Sequence, residues 1–287
     1  MAEPSEEVRR LAAQRSERRR EGDFAAADEL RARIHDLGHD VVDTPDGGFE
    51  LRALDPAFEF SVQWVADRWP QDVARGIEAF DRCHPGVRVE HVVVDAMGTS
   101  DAASGDPPWP PSARVVTVDS GAGWGAARSA GLDACIAPVV VAVDGSVEPE
   151  GDVLTPLAGA LADPTVGVAG PIGAVTEDLR EFEPSDGPDV DAIEGYLMAF
   201  RREVLIEAGG FDRGFHFYRA ADLELSFRIK DLGLRAVVVE LPIRRHEHRR
   251  WAATPEPERD RLSKRNFYRF LDRFRDRTDL LVSSRDA

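Results

Sequence analysis

A chain of 287 residues allows one large domain, or one domain with an appendage, and its 43% hydrophobic content is enough for a real core. The net charge of −17 argues against a general nucleic-acid or anionic-membrane surface, so any phosphate site must rest on local cations or a metal. Cys83 and Cys135 are too few for a disulfide framework and lack metal-ligand spacing, so they read as small buried apolar residues.

Residues 2–22 are charged throughout, which leaves no signal peptide at the start. Val8, Leu11 and Ala12 make a first small apolar stripe. Phe24, Ala27, Leu30, Ile34 and Leu37 make a second, at helical spacings of three and four. Asp23 is placed to cap the second helix and Gly38 to end it. Val41-Val42 and Phe49-Glu50-Leu51 flank T-P-D-G-G, which predicts a small hairpin. The chain divides near residue 55, after R-A-L-D-P-A.

From residue 57 strands and helices alternate. Strands are predicted over 58–65, 89–94, 115–118 and 139–143, with helices over 70–80 and 125–133. Such alternation implies an α/β domain, its mostly parallel sheet covered by helices on both faces. The S-D-A-A-S-G-D-P-P-W-P-P-S stretch at 100–112 is a long loop, either a plain surface loop or a lid over a site. The longest apolar run, Ile136 to Val143, is far too short to span a bilayer. A cytoplasmic protein with no integral membrane segment is expected.

Two resemblances follow from the motifs. The segment R-S-E-R-R-R-E-G-D-F-A-A-A-D-E-L-R-A-R-I-H-D-L-G-H-D-V-V-D-T-P-D-G-G-F-E-L resembles the C-terminal helical tail of cysteinyl-tRNA synthetases. No H-I-G-H or K-M-S-K-S motif accompanies it, so aminoacylation is not implied. Residues 1–54 are instead expected to be a docking or homodimerising appendage. Nucleic-acid binding is not expected, because the segment carries more acid than base.

Residues 57–287 resemble family 2 glycosyltransferases, which have the GT-A fold, a Rossmann-like arrangement. The core of the likeness is I-E-G-Y-L-M-A-F-R-R-E-V-L-I-E-A-G-G-F-D-R-G-F, then A-D-L-E-L-S-F-R, then a strand and H-E-H. The resemblance implies transfer of a sugar, with inversion, from a nucleotide diphosphate sugar to an acceptor hydroxyl. It makes Asp222 the catalytic base. Glu224 and Arg228, at i and i+4, are spaced to pair on the helix and leave Asp222 to the cleft.

Ligands of parallel α/β sheets lie beyond the carboxyl ends of the strands, and several polar residues fall there. Asp95 ends V-V-V-D, where the family's Asp holds the base or ribose. S-G-A-G-W-G-A-A-R-S-A-G-L follows. Its Gly123 and Gly125 would let the backbone approach a donor, the helix start would offer free N–H groups, and Arg128 could reach a phosphate or ribose. Asp144 stands for the first acid of the family's Asp-x-Asp, which brings Mg²⁺ or Mn²⁺ to the diphosphate. The second acid is Ser146 here, so the metal site is weakened or lost. His246 or His248 matches the family's late metal-binding His, with His246 the better by spacing. In an extended segment both would point to one side. The final amphipathic helix, with Phe267, Phe270, Leu271 and Phe274 on one face, is expected to pack on the core.

Three departures favour a second reading, a non-catalytic GT-A-like scaffold that binds a nucleotide sugar or partner without turnover. They are Ser146, Ala221 in place of the family's Glu, and a first strand, F-S-V-Q-W-V-A-D, without the family's P-x-Y-N ending.

Overall fold

The computed structural model describes residues 4–44, 48–53, 58–97 and 109–284. The middle of the T-P-D-G-G turn, the linker at 54–57 and most of the expected loop or lid at 100–112 lie outside them.

Ser5 starts α1 (Glu6–Arg20) by accepting the Val8 N–H, and Asp23 starts α2 (Phe24–Asp36) by accepting that of Ala26. Gly38, at φ 75°, takes the left-handed position just past α2. Strands β1 (His39–Asp43) and β2 (Phe49–Ala53) then pair antiparallel. Val8, Leu11, Ala12, Ile34 and Val41 close a small core within these four elements. Phe24 departs from the expected stripe. It sits at the helix start, 58% exposed, with the Arg19 guanidinium over its ring.

The main body opens with β3 (Phe60–Ala66), α3 (Pro70–Cys83), β4 (Val89–Asp95), β5 (Arg114–Thr117), α4 (Trp124–Ala134) and β6 (Val139–Val143). Next come β7 (Val147–Pro149), α5 (Leu154–Leu161), β8 (Val166–Gly170), β9 (Gly173–Val175), β10 (Glu183–Ser185), β11 (Asp189–Val190) and β12 (Ala192–Ile193). It ends with β13 (Leu197–Arg201), α6 (Arg202–Glu207), α7 (Ala221–Asp231), β14 (Arg235–Val238), β15 (Ile243–Arg245), α8 (Arg249–Ala253) and α9 (Glu256–Phe274).

Eight strands form the central sheet in the order β11-β14-β8-β13-β6-β3-β4-β5. Pairing is parallel from β6 through β3 and β4 to β5, and between β14 and β8. Only β13 and β11 run against their neighbours. Strand alternation sends successive β6 side chains to opposite faces. Val141 and Val143 pack under α3 and α5, with Ile77, Phe80 and Leu157. Val140 and Ala142 pack under α4, α6 and α7, with Leu132, Val204 and Leu225.

This topology builds one functional edge. The carboxyl ends of β3, β4 and β6 lie together, Ala66 facing Asp95 in register. Because β13 is antiparallel to β6, with Leu197 opposite Val143, the residues just before β13 arrive at the same edge. Helix α9 packs as expected, burying Phe270 and Phe274 against Phe227 of α7. Asn266 Nδ2 on α9 donates to Phe217 O at 2.6 Å and Arg219 O at 2.9 Å, fixing the loop before α7. Among the described residues no helix is long and apolar enough to cross a membrane.

Candidate active site

Three hollows open along this edge and share walls. The outer one, about 240 Å³, is bounded by Asp67, Met97, Asp119, Ser120 and Gly123. The middle one, about 60 Å³, is bounded by Arg128, Asp144, Ser146, His248, Arg249 and Arg250. The largest, about 760 Å³, holds Glu194, Tyr196, Tyr218, Arg219 and Asp222. Trp124 lines all three, Arg250 joins outer to middle, and Asp144 and His248 join middle to large.

Asp222 lies in the first turn of α7, whose preceding residue Ala220 adopts a left-handed φ of 64°. An alanine there costs about 1–2 kcal/mol, a cost borne to swing the helix start toward the cleft. Asp222 Oδ2 accepts the Gly195 N–H at 2.8 Å and Oδ1 accepts that of Leu223 at 3.0 Å. Burial raises its pKa above the usual aspartate value, and those amides offset only part of the rise. Burial also raises Glu194, helped by the Asp222 charge. Glu224 is turned away from the cleft, buried at 1% exposure. It takes Arg228 Nε and one of its terminal nitrogens, both at 2.8 Å, and Arg273 Nη1 at 2.8 Å. The i,i+4 pair expected from spacing is formed.

Asp144 follows β6. Its Oδ1 accepts the Ser146 N–H at 2.9 Å and also the Ser146 hydroxyl. Its Oδ2 lies 3.4 Å from His248 Nε2. Burial works to raise the carboxyl pKa, but His248 and Ser146 outweigh it and hold the value near about 2.

His246, expected as the metal ligand, is not the histidine beside Asp144. β15 pairs with β7, Arg245 opposite Val147, and His246 N donates to Ser146 O. That register sets His246 Nε2 against Glu148 at 2.9 Å. The strand ends at Arg245, so the alternation that would align both histidines lapses, and His248 reaches Asp144 instead.

The donor set does not fit a divalent cation as it stands. His248 Nδ1 accepts the Trp251 N–H at 3.1 Å and caps α8. A neutral ring whose Nδ1 accepts carries its proton on Nε2, so Nε2 faces Asp144 as a donor and not as a ligand. The Ser146 hydroxyl likewise spends its hydrogen on Asp144. Of the other acids on the middle hollow, Asp72 is paired with Arg75 and Arg249 and Asp67 with Arg250, where a hard dication needs several free oxygens. Among the described residues no three His, Cys, Asp or Glu side chains gather in a metal-binding group.

The glycine turn also differs from expectation. Trp124 N donates to His216 O at 3.3 Å and Gly125 N to Phe215 O at 2.7 Å, so these amides are not offered to a ligand. A Cβ on Gly123 would stand 2.6 Å from His216 Nδ1, and one on Gly125 would stand 2.2 Å from Asp212 O. Both glycines make room for the 212–216 loop, and Gly123 still edges the outer hollow. Arg128 is buried at 1% exposure. It donates to Gln63 O, Gln63 Oε1 and Val143 O, bracing β3 against β6. Burial depresses its pKa to about 10, and its Nε has no partner among the described residues. Asp95 ends β4 as expected, its Oδ1 accepting the Met97 N–H at 3.0 Å in a turn.

Some site residues escaped the sequence reading. Glu194 opens the G-Y-L-M segment. Asp67 follows β3 as Asp144 follows β6 and Asp95 ends β4, and the same carboxyl-end rule finds it. The basic run from His246 to Arg250 closes over the edge in a series of pairs. His246 meets Glu148, His248 meets Asp144, Arg249 Nε meets Asp72 at 3.2 Å, and Arg250 Nη1 meets Asp67 at 2.7 Å.

No protein-family model and no curated protein matches the chain. Solved structures do. The crystal structure of GalNAc-T7 with UDP, GalNAc and Mn²⁺ superposes with a TM-score of 0.61 at 17% identity, over 80% of this chain and 50% of that one. The fold is GT-A-like. The chain thus spans half the length of the GalNAc-T7 chain. The mannosyltransferase PcManGT from Pyrobaculum calidifontis, in complex with GDP-Man and Mn²⁺, gives a TM-score of 0.48 at 18% identity, over 80% of this chain and 75% of its own. S. aureus TarS 1-349 gives a TM-score of 0.48 at 14% identity, over 77% and 74%.

Proposed function

We propose that this GT-A-like chain is a glycosyltransferase of the family 2 kind. It moves a sugar from a nucleotide diphosphate sugar to an acceptor hydroxyl with inversion. The observation that carries this reading is Asp222, a cleft carboxyl made more basic by burial, on the wall of the largest hollow. The donor's nucleoside would occupy the outer hollow, beyond Asp95 and Asp119. Its diphosphate would lie in the middle hollow, with the sugar and acceptor beside Tyr196 and Tyr218. The acceptor oxygen attacks the anomeric carbon as its proton passes to Asp222. The bond to the diphosphate breaks on the opposite side, and the departing oxygen gains a negative charge.

Support comes from the GT-A-like fold shared with GalNAc-T7, whose structure holds UDP, GalNAc and Mn²⁺. The resemblance implies the same kind of ion for this chain. Since the donors at Asp144 do not fit one as placed, no step here runs through a metal. By its likeness to the synthetase tail, the N-terminal unit is read as a docking or dimerising appendage.

A thermal-shift screen of nucleotide sugars tests the reading, followed by transfer assays with NMR of the product's anomeric centre. A donor at a hundred times its dissociation constant should add about 2.7 kcal/mol of stability. Binding without turnover on any acceptor would favour the scaffold. A product that retains configuration would remove the single-displacement mechanism.

A further inference from the structure

We propose that Arg249 and Arg250 bind the donor's diphosphate, and that they do so without a divalent cation. This rests on the donor reading above and names the groups that neutralise the leaving group.

The residues sit where a diphosphate would have to lie. Arg250 borders both the outer and the middle hollow, and Arg249 borders the middle one. With their ion pairs formed, the middle hollow holds only about 60 Å³, room for a few waters. A diphosphate must therefore displace something. The pairs Arg249–Asp72 and Arg250–Asp67 stand in this wall, their arginine side chains 48% and 29% exposed and their carboxylates 12% and 25%. Arg75 Nη1 also donates to Asp72 at 2.8 Å, so Asp72 keeps a cation when Arg249 turns to a phosphate. In return, a guanidinium can meet phosphate oxygens in two parallel charge-assisted bonds, a fork that suits phosphate better than a lone ammonium does.

A second observation points to an anion in the same place. Arg128 is 1% exposed, lines the middle hollow, and leaves its Nε without a partner among the described residues. Its other bonds go to groups of the sheet, so it contributes fixed positive charge beneath the hollow. Asp144, the carboxylate expected to recruit a metal, is occupied by Ser146 and by His248 Nε2. The cations are supplied by side chains, and the metal donors are turned inward. Arg128, Arg249 and Arg250 share this lining with Asp67, Asp72, Asp144 and Glu247, so a diphosphate would have to take Arg249 and Arg250 over from Asp72 and Asp67.

The test is calorimetry on the full chain with UDP and with GDP, each in EDTA and each with Mn²⁺. One of the two nucleotides should bind in EDTA, and Mn²⁺ should leave its affinity unchanged. Arg249→Ala and Arg250→Ala should each weaken binding about tenfold or more. Arg250→Lys should fall between Arg250→Ala and wild type, because the charge remains but the fork is lost. Asp67→Asn is the decisive companion. It frees Arg250, so binding should hold or tighten if Arg250 is a ligand. If Asp67→Asn weakens binding as Arg250→Ala does, the pair is structural and the proposal fails. Binding that appears only with Mn²⁺ overturns the proposal and leaves the transferase reading standing. Failure of every nucleoside diphosphate and nucleotide sugar to bind, with or without Mn²⁺, overturns both.

Discussion

Lys230 Nζ donates to Asp191 Oδ1 at 2.6 Å with both side chains only 1% exposed. The same oxygen takes the Val282 N–H at 2.7 Å, and Oδ2 takes that of Thr176 at 2.9 Å. One carboxylate therefore ties α7 to the β9–β12 segment and to the last described turn. Removing one member of such a pair strands the other charge. Asp191→Ala is expected to cost about 3–5 kcal/mol in urea denaturation. Lys230→Met combined with Asp191→Leu should cost less than Asp191→Ala alone, since no charge is left behind. A double variant clearly worse than the single would mean that the two amides, and not Lys230, set the value of Asp191.

Residues 57–287 are expected to fold without the first 52. Among the described residues the N-terminal core is made by Val8, Leu11, Ala12, Ile34 and Val41, with partly buried Leu30, Leu37, Phe49 and Leu51 around it. A chain beginning at residue 54 should keep the far-UV spectrum of a mixed α/β domain and a cooperative thermal transition. An insoluble or molten product would show that the N-terminal helices cover an apolar face of the main body.

Ser146→Asp should create Mn²⁺ affinity that the wild type lacks or has only weakly. The serine hydroxyl closes on Asp144. An aspartate cannot donate there, and two neighbouring carboxylates repel until a cation joins them. Titration calorimetry with Mn²⁺ reads the change directly. Affinity equal to or below wild type would show that position 146 does not face the place a cation would take.

The parts legible in the sequence were those with strong periodicity. The strand predicted over 139–143 is β6 to the residue, β4 runs one residue longer at its end, and α4 runs one residue longer at each end. The stretch from 147 to 193 was not divided. Its strands β9 to β12 are two or three residues long, too short to show a period of two. Helix α5, L-T-P-L-A-G-A-L, carries a Pro and a Gly that weaken its local signal, and its leucines are buried by the sheet. At the site, strand-end acids were visible because chain order places them there. Arg250 and Asp67 were not, because their pairing joins residues 183 positions apart. The glycines at 123 and 125 signal a close approach without naming what approaches. Spacing shows that backbone comes close to something, and only the fold shows that it is the 212–216 loop.

Asp222→Asn carries the sharpest prediction for the proposed reaction. The acceptor's proton must go to a base beside the reacting carbon, and loss of such a base costs about 10²–10⁴-fold in rate. Asparagine keeps the shape, and its single carbonyl oxygen can still accept from either Gly195 or Leu223 but not from both, so the turn and donor binding should survive. The wild-type rate should fall as pH drops through the Asp222 pKa, because only the ionised form is a base. Burial has raised that pKa, so the acid limb should lie above the ordinary aspartate value of 3.8. The same shift sets the stability effect. The folded state binds the proton more tightly than the unfolded chain does. The cost of ionisation is thus absent below the unfolded pKa and present in full above the folded one. At pH 7 Asp222→Asn removes that cost but leaves one of the two amides without its acceptor, so its stability should stay near wild type, within about 1–3 kcal/mol, while turnover is lost. Glu224→Gln should do the reverse. It weakens a buried acceptor of Arg228 and Arg273, so it should cost stability, on the order of 3 kcal/mol, and keep measurable activity in the fraction that folds. Full activity in Asp222→Asn would place the base elsewhere. Asp222→Asn destabilised as much as Glu224→Gln would make Asp222 a structural acid of the α7 turn.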